Sequence, residues 1–133
     1  MKVIVSDPIS DDGLDIFKQN NIEIIDATDI EIDENYEHIE SANGWVIRSG
    51  TTLDASIIKK ADSLSVIGRA GVGIDNVDIS AATRKGVVVM NTPDANTISA
   101  AEHTLALLLS LSRNVSIGHH SLLAGNWDRQ KFV

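Results

Sequence analysis

The residues best equipped for chemistry are two arginines and the glycines that follow one of them. The apolar run 64–67 breaks into Gly68-Arg69-Ala70-Gly71-Val72-Gly73-Ile74-Asp75-Asn76-Val77-Asp78. Arg48 closes Trp45-Val46-Ile47 in the same way and is followed by Ser49-Gly50. A guanidinium is a planar fork that matches carboxylate and phosphate. Glycine lets main-chain N–H groups come close to a ligand. Arg48, Arg69 and the loop amides together predict a cradle for a small substrate with two negative groups. The competing readings are surface ion pairs for the arginines and a structural turn for the glycines.

Other polar residues are open to two readings. Asn96 precedes a helix start and reads equally as a cap or as a ligand contact. Arg129 and Lys131 flank Gln130 beside Trp127. They read as a solvated tail or as a basic arm toward a neighbouring subunit's anion site. His103, His119 and His120 have no carboxylate at ligand spacing, so no metal site is predicted. There is no nucleophile elbow, P-loop or recognisable His–carboxylate pair, so the sequence offers a binding surface without acid–base machinery.

The glycine loop fails as a dinucleotide fingerprint. Gly68-x-x-Gly71-x-Gly73 reverses the required spacing, and counting from Gly71 puts Asn76 in the third glycine's place. The next strand-like run ends in Asn91, where an acid would be needed.

Composition narrows the partners. Eleven basic against 19 acidic residues give a net charge of −8. No basic face for nucleic acid is visible. The most apolar stretch, 105–111, is too short to span a bilayer. The chain has no cysteine, which excludes disulfides and thiolate metal sites and suits the cytoplasm. Its 133 residues suffice for one domain with a core.

Strand and helix signals alternate. Strands are expected at 3–5, 22–25, 45–47, 64–67 and 87–90. Ser10 caps a helix that turns Leu14 and Phe17 inward and stops at Asn20-Asn21. The acidic stretch 29–40 holds a short helix with Tyr36 and Ile39 inward. Further helices are expected at 54–61 and from Asp78 to Lys85, the latter ended by Gly86. Alternation of this kind predicts an α/β fold with a doubly wound parallel five-stranded sheet. Ligands bind such sheets beyond the carboxyl ends of the strands. Those ends are Asp7, Asp26, Arg48-Ser49-Gly50, Arg69-Ala70-Gly71 and Asn91-Thr92.

After Pro93 the pattern changes. Ser99 and Glu102 have capping-box spacing and open a long apolar helix reaching about Arg113. Its apolar residues run nearly all the way round, which predicts cover on more than one side by a partner subunit or a further domain. A short helix follows at 117–124, and the tail ending in Phe132-Val133 reads as cut rather than finished.

Three ordered segments resemble the D-isomer-specific 2-hydroxyacid dehydrogenases. They are Arg48-Ser49-Gly50-Thr51, Gly68 through Asp78, and Asn91-Thr92-Pro93-Asp94-Ala95-Asn96-Thr97-Ile98-Ser99-Ala100-Ala101-Glu102. The tail Asn126-Trp127-Asp128-Arg129-Gln130-Lys131-Phe132 is most similar to members that act on 3-phosphoglycerate. The likeness covers essentially the whole chain. It implies a flavodoxin-like substrate domain at 1–96, then linker and dimerisation helices at 97–133 leading to an NAD-binding domain that this chain lacks. That domain carries the family's catalytic arginine, glutamate and histidine, so no catalytic residue is expected here and the isolated chain is expected to be inactive. The implied reaction is NAD-dependent oxidation of 3-phosphoglycerate to 3-phosphohydroxypyruvate in L-serine synthesis. Another D-2-hydroxy acid of the glyoxylate/hydroxypyruvate type is the alternative.

By the same resemblance Arg48 and Arg69 contact substrate and its phosphate. The amides of Gly71, Val72 and Gly73 lie against its carboxylate, and Val72 also touches the nicotinamide end of NAD. Ser49 and Asn96 match further substrate contacts. Arg129 and Lys131 match a segment approaching the partner subunit's site, and the all-round apolar helix itself predicts a homo-oligomer joined through 97–113. Gly50 departs from relatives that carry a second basic side chain there. A receiver module would need paired acids after the first strand, an aspartate after the third and a lysine after the fifth. Asp7-Pro8, Arg48 and Asn91 stand there instead. A free-standing interaction module docking through the helix after Pro93 remains a second alternative.

Overall fold

The computed structural model describes residues 1–29 and 36–132, excluding the side chains of Tyr36 and Glu37. Five strands form one parallel sheet: β1 (Lys2–Val5), β2 (Glu23–Asp26), β3 (Gly44–Ile47), β4 (Val66–Arg69) and β5 (Val88–Asn91). Their order is β2-β1-β3-β4-β5, the doubly wound order of flavodoxin-type sheets. The chain steps from β1 outward to β2, returns past β1 to β3, and then proceeds the other way. The carboxyl ends of β1 and β3 therefore flank the switch point, where such sheets bind ligands.

Strand β1 buries side chains on both faces, Val3 and Val5 on one and Ile4 on the other, whereas on the Val3 face Val88 and Met90 of β5 are exposed. Ile4, Trp45, Ile47 and Ile67 are buried from the sheet, and Leu53 and Ile58 join them from the segment after β3. The sheet positions of these residues follow from runs of β-branched and aromatic residues too short for helices. One polar bond crosses the core: the Trp45 indole N–H donates to Ser6 Oγ at 2.6 Å.

The helices of this part are α1 (Asp11–Gln19), α2 (Tyr36–Ser41), α3 (Ala55–Lys60) and α4 (Ile79–Lys85). Ser10 caps α1 by accepting from the Gly13 N–H. Leu14 and Phe17 on α1 are only half-buried. Ile39 of α2 is buried, and the expectation for the Tyr36 side chain falls outside the described residues. Asp54 caps α3 by accepting from the Ser56 and Ile57 N–H groups. The Ser56 hydroxyl, followed by the Ile57 N–H, holds its carboxyl below the ordinary value. The cap is thus complete at neutral pH and is lost as the pH falls through that depressed value. Asp78 caps α4, and Gly86 ends it in the left-handed region at φ 77°, where a side chain would be strained.

Most element bounds shift by one or two residues from the sequence expectation, and two of these differences have a visible cause. The fourth strand begins at Val66 rather than Leu64, and it includes Gly68 and Arg69. Its neighbour sets both limits, because β3 pairs Gly44 with Val66 and Ile47 with Arg69. Leu64 stays buried outside the ladder, its N–H bonded to the Ala61 carbonyl at 3.1 Å.

The second difference lies beyond Ala95, where a separate compact unit begins. It contains α5 (Thr97–Ser112), α6 (Val115–Leu123) and a 3₁₀ turn (Arg129–Phe132). Helix α5 starts two residues before the expected cap, since the Ala100 N–H already bonds the Asn96 carbonyl at 2.9 Å. Ser99 therefore sits inside the first turn, and Asn96 is the cap residue without a side-chain cap bond. Leu105, Leu107, Leu108, Leu109 and Leu111 on α5 are all exposed. Among the described residues no helix is long and apolar enough to cross a membrane.

Replacing Ser6 with alanine leaves the buried Trp45 N–H without a partner. This should lower unfolding stability by about 1–3 kcal/mol. Urea unfolding followed by tryptophan fluorescence checks it, and an unchanged midpoint would show that the bond contributes nothing.

Candidate functional site

The site is built from the loops beyond β1, β3 and β4. At the end of β1, Asp7 is 9% exposed. Its Oδ2 accepts the Arg48 N–H at 2.6 Å and the Thr51 N–H at 3.1 Å. The loop after β3 thus wraps around one carboxylate. Gly50 lies at the closest point, where an added Cβ would collide with Asp7 Oδ1. Ionised carboxylates form the shorter, stronger class of hydrogen bond, which suits a fixed loop at a ligand site. The Arg48 side chain is exposed, with a 3.4 Å contact from Nη1 to the Pro8 carbonyl.

Asn76 joins this loop to the one after β4. Its Nδ2 donates to the Arg48 carbonyl at 2.6 Å and to the Thr51 carbonyl at 2.5 Å. Its Oδ1 accepts from Arg69 Nε at 2.9 Å. The main chain adds further ties, from the Leu53 N–H to the Asn76 carbonyl and from the Asp78 N–H to the Leu53 carbonyl, each 2.9 Å. The two loops are therefore one sewn surface.

The guanidinium of Arg69 lies over the glycines. A Cβ on Gly71 would strike Arg69 Nη1, and one on Gly73 would come within 3.8 Å of that atom and 2.7 Å of Asp75 Oδ1. Gly68 meets nothing within 4 Å of an added Cβ, so its lack of a side chain is not needed for space. The Gly71 N–H is engaged by the Arg69 carbonyl at 2.9 Å, while its own carbonyl accepts the Thr92 N–H at 3.0 Å. The Asn91 amide holds the Val72 carbonyl at 2.7 Å. Among the described residues the N–H groups of Val72 and Gly73 have no partner.

The fold thus gathers Arg48, Ser49, Arg69, Gly71, Val72 and Gly73 at one strand-end surface. Among the described residues neither arginine forms an ion pair, which removes the surface-ion-pair reading. Asp26, the remaining strand-end acid, is used locally: the Thr28 N–H and hydroxyl bind it and hold its carboxyl below the ordinary range. What remains is a pair of guanidiniums with free donors, two free amides and the exposed side chain of Val72. Such a set can bind and orient an anion. Among the described residues no group of His, Cys, Asp or Glu is placed to hold a metal.

Asn96, Arg129 and Lys131 belong to the second unit. Asn96 is exposed at the start of α5. Lys131 Nζ pairs with Asp128 Oδ2 at 2.5 Å. Arg129 joins Arg113, His119, Asn126 and Trp127 around a cavity of about 370 Å³.

Sequence reasoning passed over Asp7, Asn76 and Asn91. Asp7 and Asn91 read there as strand ends that fit neither a receiver nor a dinucleotide site, and Asn76 as the residue that spoils a glycine fingerprint. The available signal was their position: each is an acid or amide at a strand end or in its loop, where main-chain groups run out of ladder partners.

Comparison with known proteins identifies the family of the chain. The family model described as D-isomer specific 2-hydroxyacid dehydrogenase, catalytic domain, matches residues 3–126. D-3-phosphoglycerate dehydrogenase of Archaeoglobus fulgidus is 43% identical over 133 residues, covering 100% of this chain and 25% of the relative. The enzyme of the same name from Methanocaldococcus jannaschii is 45% identical, covering 99% and 25%. The crystal structure of NAD+-bound 3-phosphoglycerate dehydrogenase from Entamoeba histolytica superposes with a TM-score of 0.70 at 30% identity, covering 85% of this chain and 39% of that one. The chain spans about a quarter of the length of the curated relatives. A family match running through the sheet, the strand-end loops and both later helices means that the chain belongs to the D-isomer specific 2-hydroxyacid dehydrogenases.

Proposed function

We propose that this chain is the substrate-binding segment of an NAD-dependent dehydrogenase that oxidises 3-phosphoglycerate to 3-phosphohydroxypyruvate, a step of L-serine synthesis. The observation that carries the reading is the pair of arginines that, among the described residues, have no carboxylate partner, beside two unpartnered amides beyond the carboxyl ends of β3 and β4. A substrate with a carboxylate at one end and a phosphate at the other offers an acceptor for each arginine. The names of the two archaeal relatives support the same substrate.

The chain's own work in this reading is binding and orientation. Arg48, Arg69 and Ser49 hold the anionic groups, and the N–H groups of Val72 and Gly73 supply further donors. The Gly71 N–H, already bonded to Arg69, serves by shaping the turn. Asn96, Arg129 and Lys131 are assigned to the site on resemblance alone. Fixing the substrate's charged ends lets the reacting carbon be presented in one orientation, which lowers the entropy cost of reaction.

NAD does not fit the residues present as its main site. No G-x-G-x-x-G follows any strand, and β5 ends in Asn91 rather than an acid. We assign only Val72, exposed at the loop, to a contact with the nicotinamide end. Hydride and proton transfer belong to residues outside this chain. The reading carries with it a cytoplasmic location and a homo-oligomer joined through 97–113, supported by the exposed leucines of α5. A non-phosphorylated D-2-hydroxy acid is the second reading. It is favoured by Gly50, where Asp7 leaves no room for another basic side chain.

Three outcomes are expected. Arg69→Lys and Arg48→Ala, each in the dehydrogenase that contains this segment, should raise KM for 3-phosphoglycerate about 10- to 100-fold, the worth of one lost charge-assisted bond. Unchanged KM in both variants would remove the arginines from the site. The 133-residue chain alone should reduce no NAD with 3-phosphoglycerate in a spectrophotometric assay. Comparing 3-phosphoglycerate with glycerate in the same assay of the whole enzyme separates the two substrate readings, since preference for glycerate would favour the second.

A further inference from the structure

We propose that Asn76 is the positioning residue of the anion site, a single amide that holds Arg69 and the loop of Arg48 in their ligand-binding arrangement. The inference rests on reading those arginines as the substrate's ligands. The contacts themselves do not depend on that reading.

An asparagine side chain has two N–H donors and one carbonyl acceptor. At Asn76 all three functions are taken, and the orientation of the amide is fixed by its partners. The two donors meet carbonyls, those of Arg48 and Thr51. The acceptor meets a donor, Arg69 Nε. A flipped amide would set N–H against N–H and oxygen against two oxygens. Binding Nε pins the guanidinium at its inner edge. The donors on Nη1 and Nη2 have no protein acceptor among the described residues, so they remain for a ligand.

The same amide spans the carbonyls on either side of Ser49-Gly50 and thereby closes the loop that carries Arg48. Asp7 holds that loop through its N–H groups, and Asn76 holds it through its carbonyls. The main chain at Asn76 is itself fixed by the Leu53 N–H and by the Leu53–Val77 bridge. Aspartate in this place would lose both donors and set a carboxylate against two carbonyls. Glutamine would place the amide one methylene too far from a backbone that cannot retreat.

The test uses Asn76→Ala and Asn76→Asp in the dehydrogenase that contains this segment, with 3-phosphoglycerate as substrate. Each should raise KM about tenfold or more while kcat stays within about threefold, the pattern of lost uniform binding. In an Arg69→Ala background, Asn76→Ala should raise KM by a clearly smaller factor than in the parent, because the part of its effect that acts through Arg69 is already removed and only the part through the Arg48 loop is left. A fully additive double variant, or unchanged KM in both single variants, overturns the proposal. A variant that only unfolds more easily, with parental KM when folded, assigns Asn76 a merely structural role and overturns it too.

The second measurement needs no turnover. In nitrogen-15 NMR spectra the Arg69 Nε–H should exchange slowly with water in the parent protein and rapidly in Asn76→Ala. Titration with 3-phosphoglycerate, followed on the backbone amide resonances of the loop after β4, should saturate at a concentration at least about tenfold lower in the parent than in the variant. A slow signal that persists in the variant overturns the clasp. Absence of dehydrogenase activity in the parent would instead remove the functional reading, and the Nε–H signal would still decide the role of Asn76.

Discussion

At the switch point of the sheet, one carboxylate carries two main-chain N–H groups of a loop that has left its ladder. Asp7 Oδ2 accepts from Arg48 and Thr51, and the rest of the site is arranged around that contact. Withdrawing a carboxylate from water costs several kcal/mol, whereas each charge-assisted bond returns about 1.5–3 kcal/mol. The two magnitudes nearly offset, so the contact contributes less to net stability than to geometry. It fixes where Arg48 leaves the sheet. It also excludes a side chain at Gly50, so Arg48 is the one cation the loop carries.

The fold was legible in the sequence wherever a local signal decided it. Buried Val, Ile and Trp runs marked β1 and β3, and Asp54, Asp78 and Gly86 marked the ends of α3 and α4 with side chains acting within a few residues. The signals failed where a neighbour decided. Strand β4 begins and ends where β3 offers partners, a fact of register that 64–67 does not encode. Helix α5 starts at the first bond that closes, at Asn96, so the Ser99–Glu102 spacing was a coincidence of composition. The site divided in the same way. Arginine and glycine announce an anion loop by type. Asp7 reaches partners 41 and 44 residues away, and Asn76 reaches partners 28 and 25 away. All four are main-chain atoms, which every residue possesses, so no residue type in the sequence could point to them.

The glycines of the loop after β4 have a role that neither the nucleotide reading nor the plain turn reading contained. In a dinucleotide loop, bare backbone makes room for a pyrophosphate. Here the room at Gly71 is filled by the protein's own Arg69 guanidinium, and the room at Gly73 by Asp75 with Arg69 close behind. The loop therefore presents a fixed cation instead of an empty cradle. This also reconciles a net charge of −8 with the proposed anionic ligand. At physiological ionic strength charges beyond about 8 Å are largely screened, so the acidic surface as a whole exerts little force at the loop. The local balance decides, and there Asp7 is already committed to two N–H groups while neither guanidinium has a carboxylate partner among the described residues. Because Arg69 is tethered at Nε before any ligand arrives, little of its side-chain freedom is left to lose on binding. A freely rotating arginine would surrender on the order of 0.5–1.5 kcal/mol of that freedom. The attraction such a surface can exert on an anion is therefore set by how rigidly the chain holds two charges and not by how many it carries.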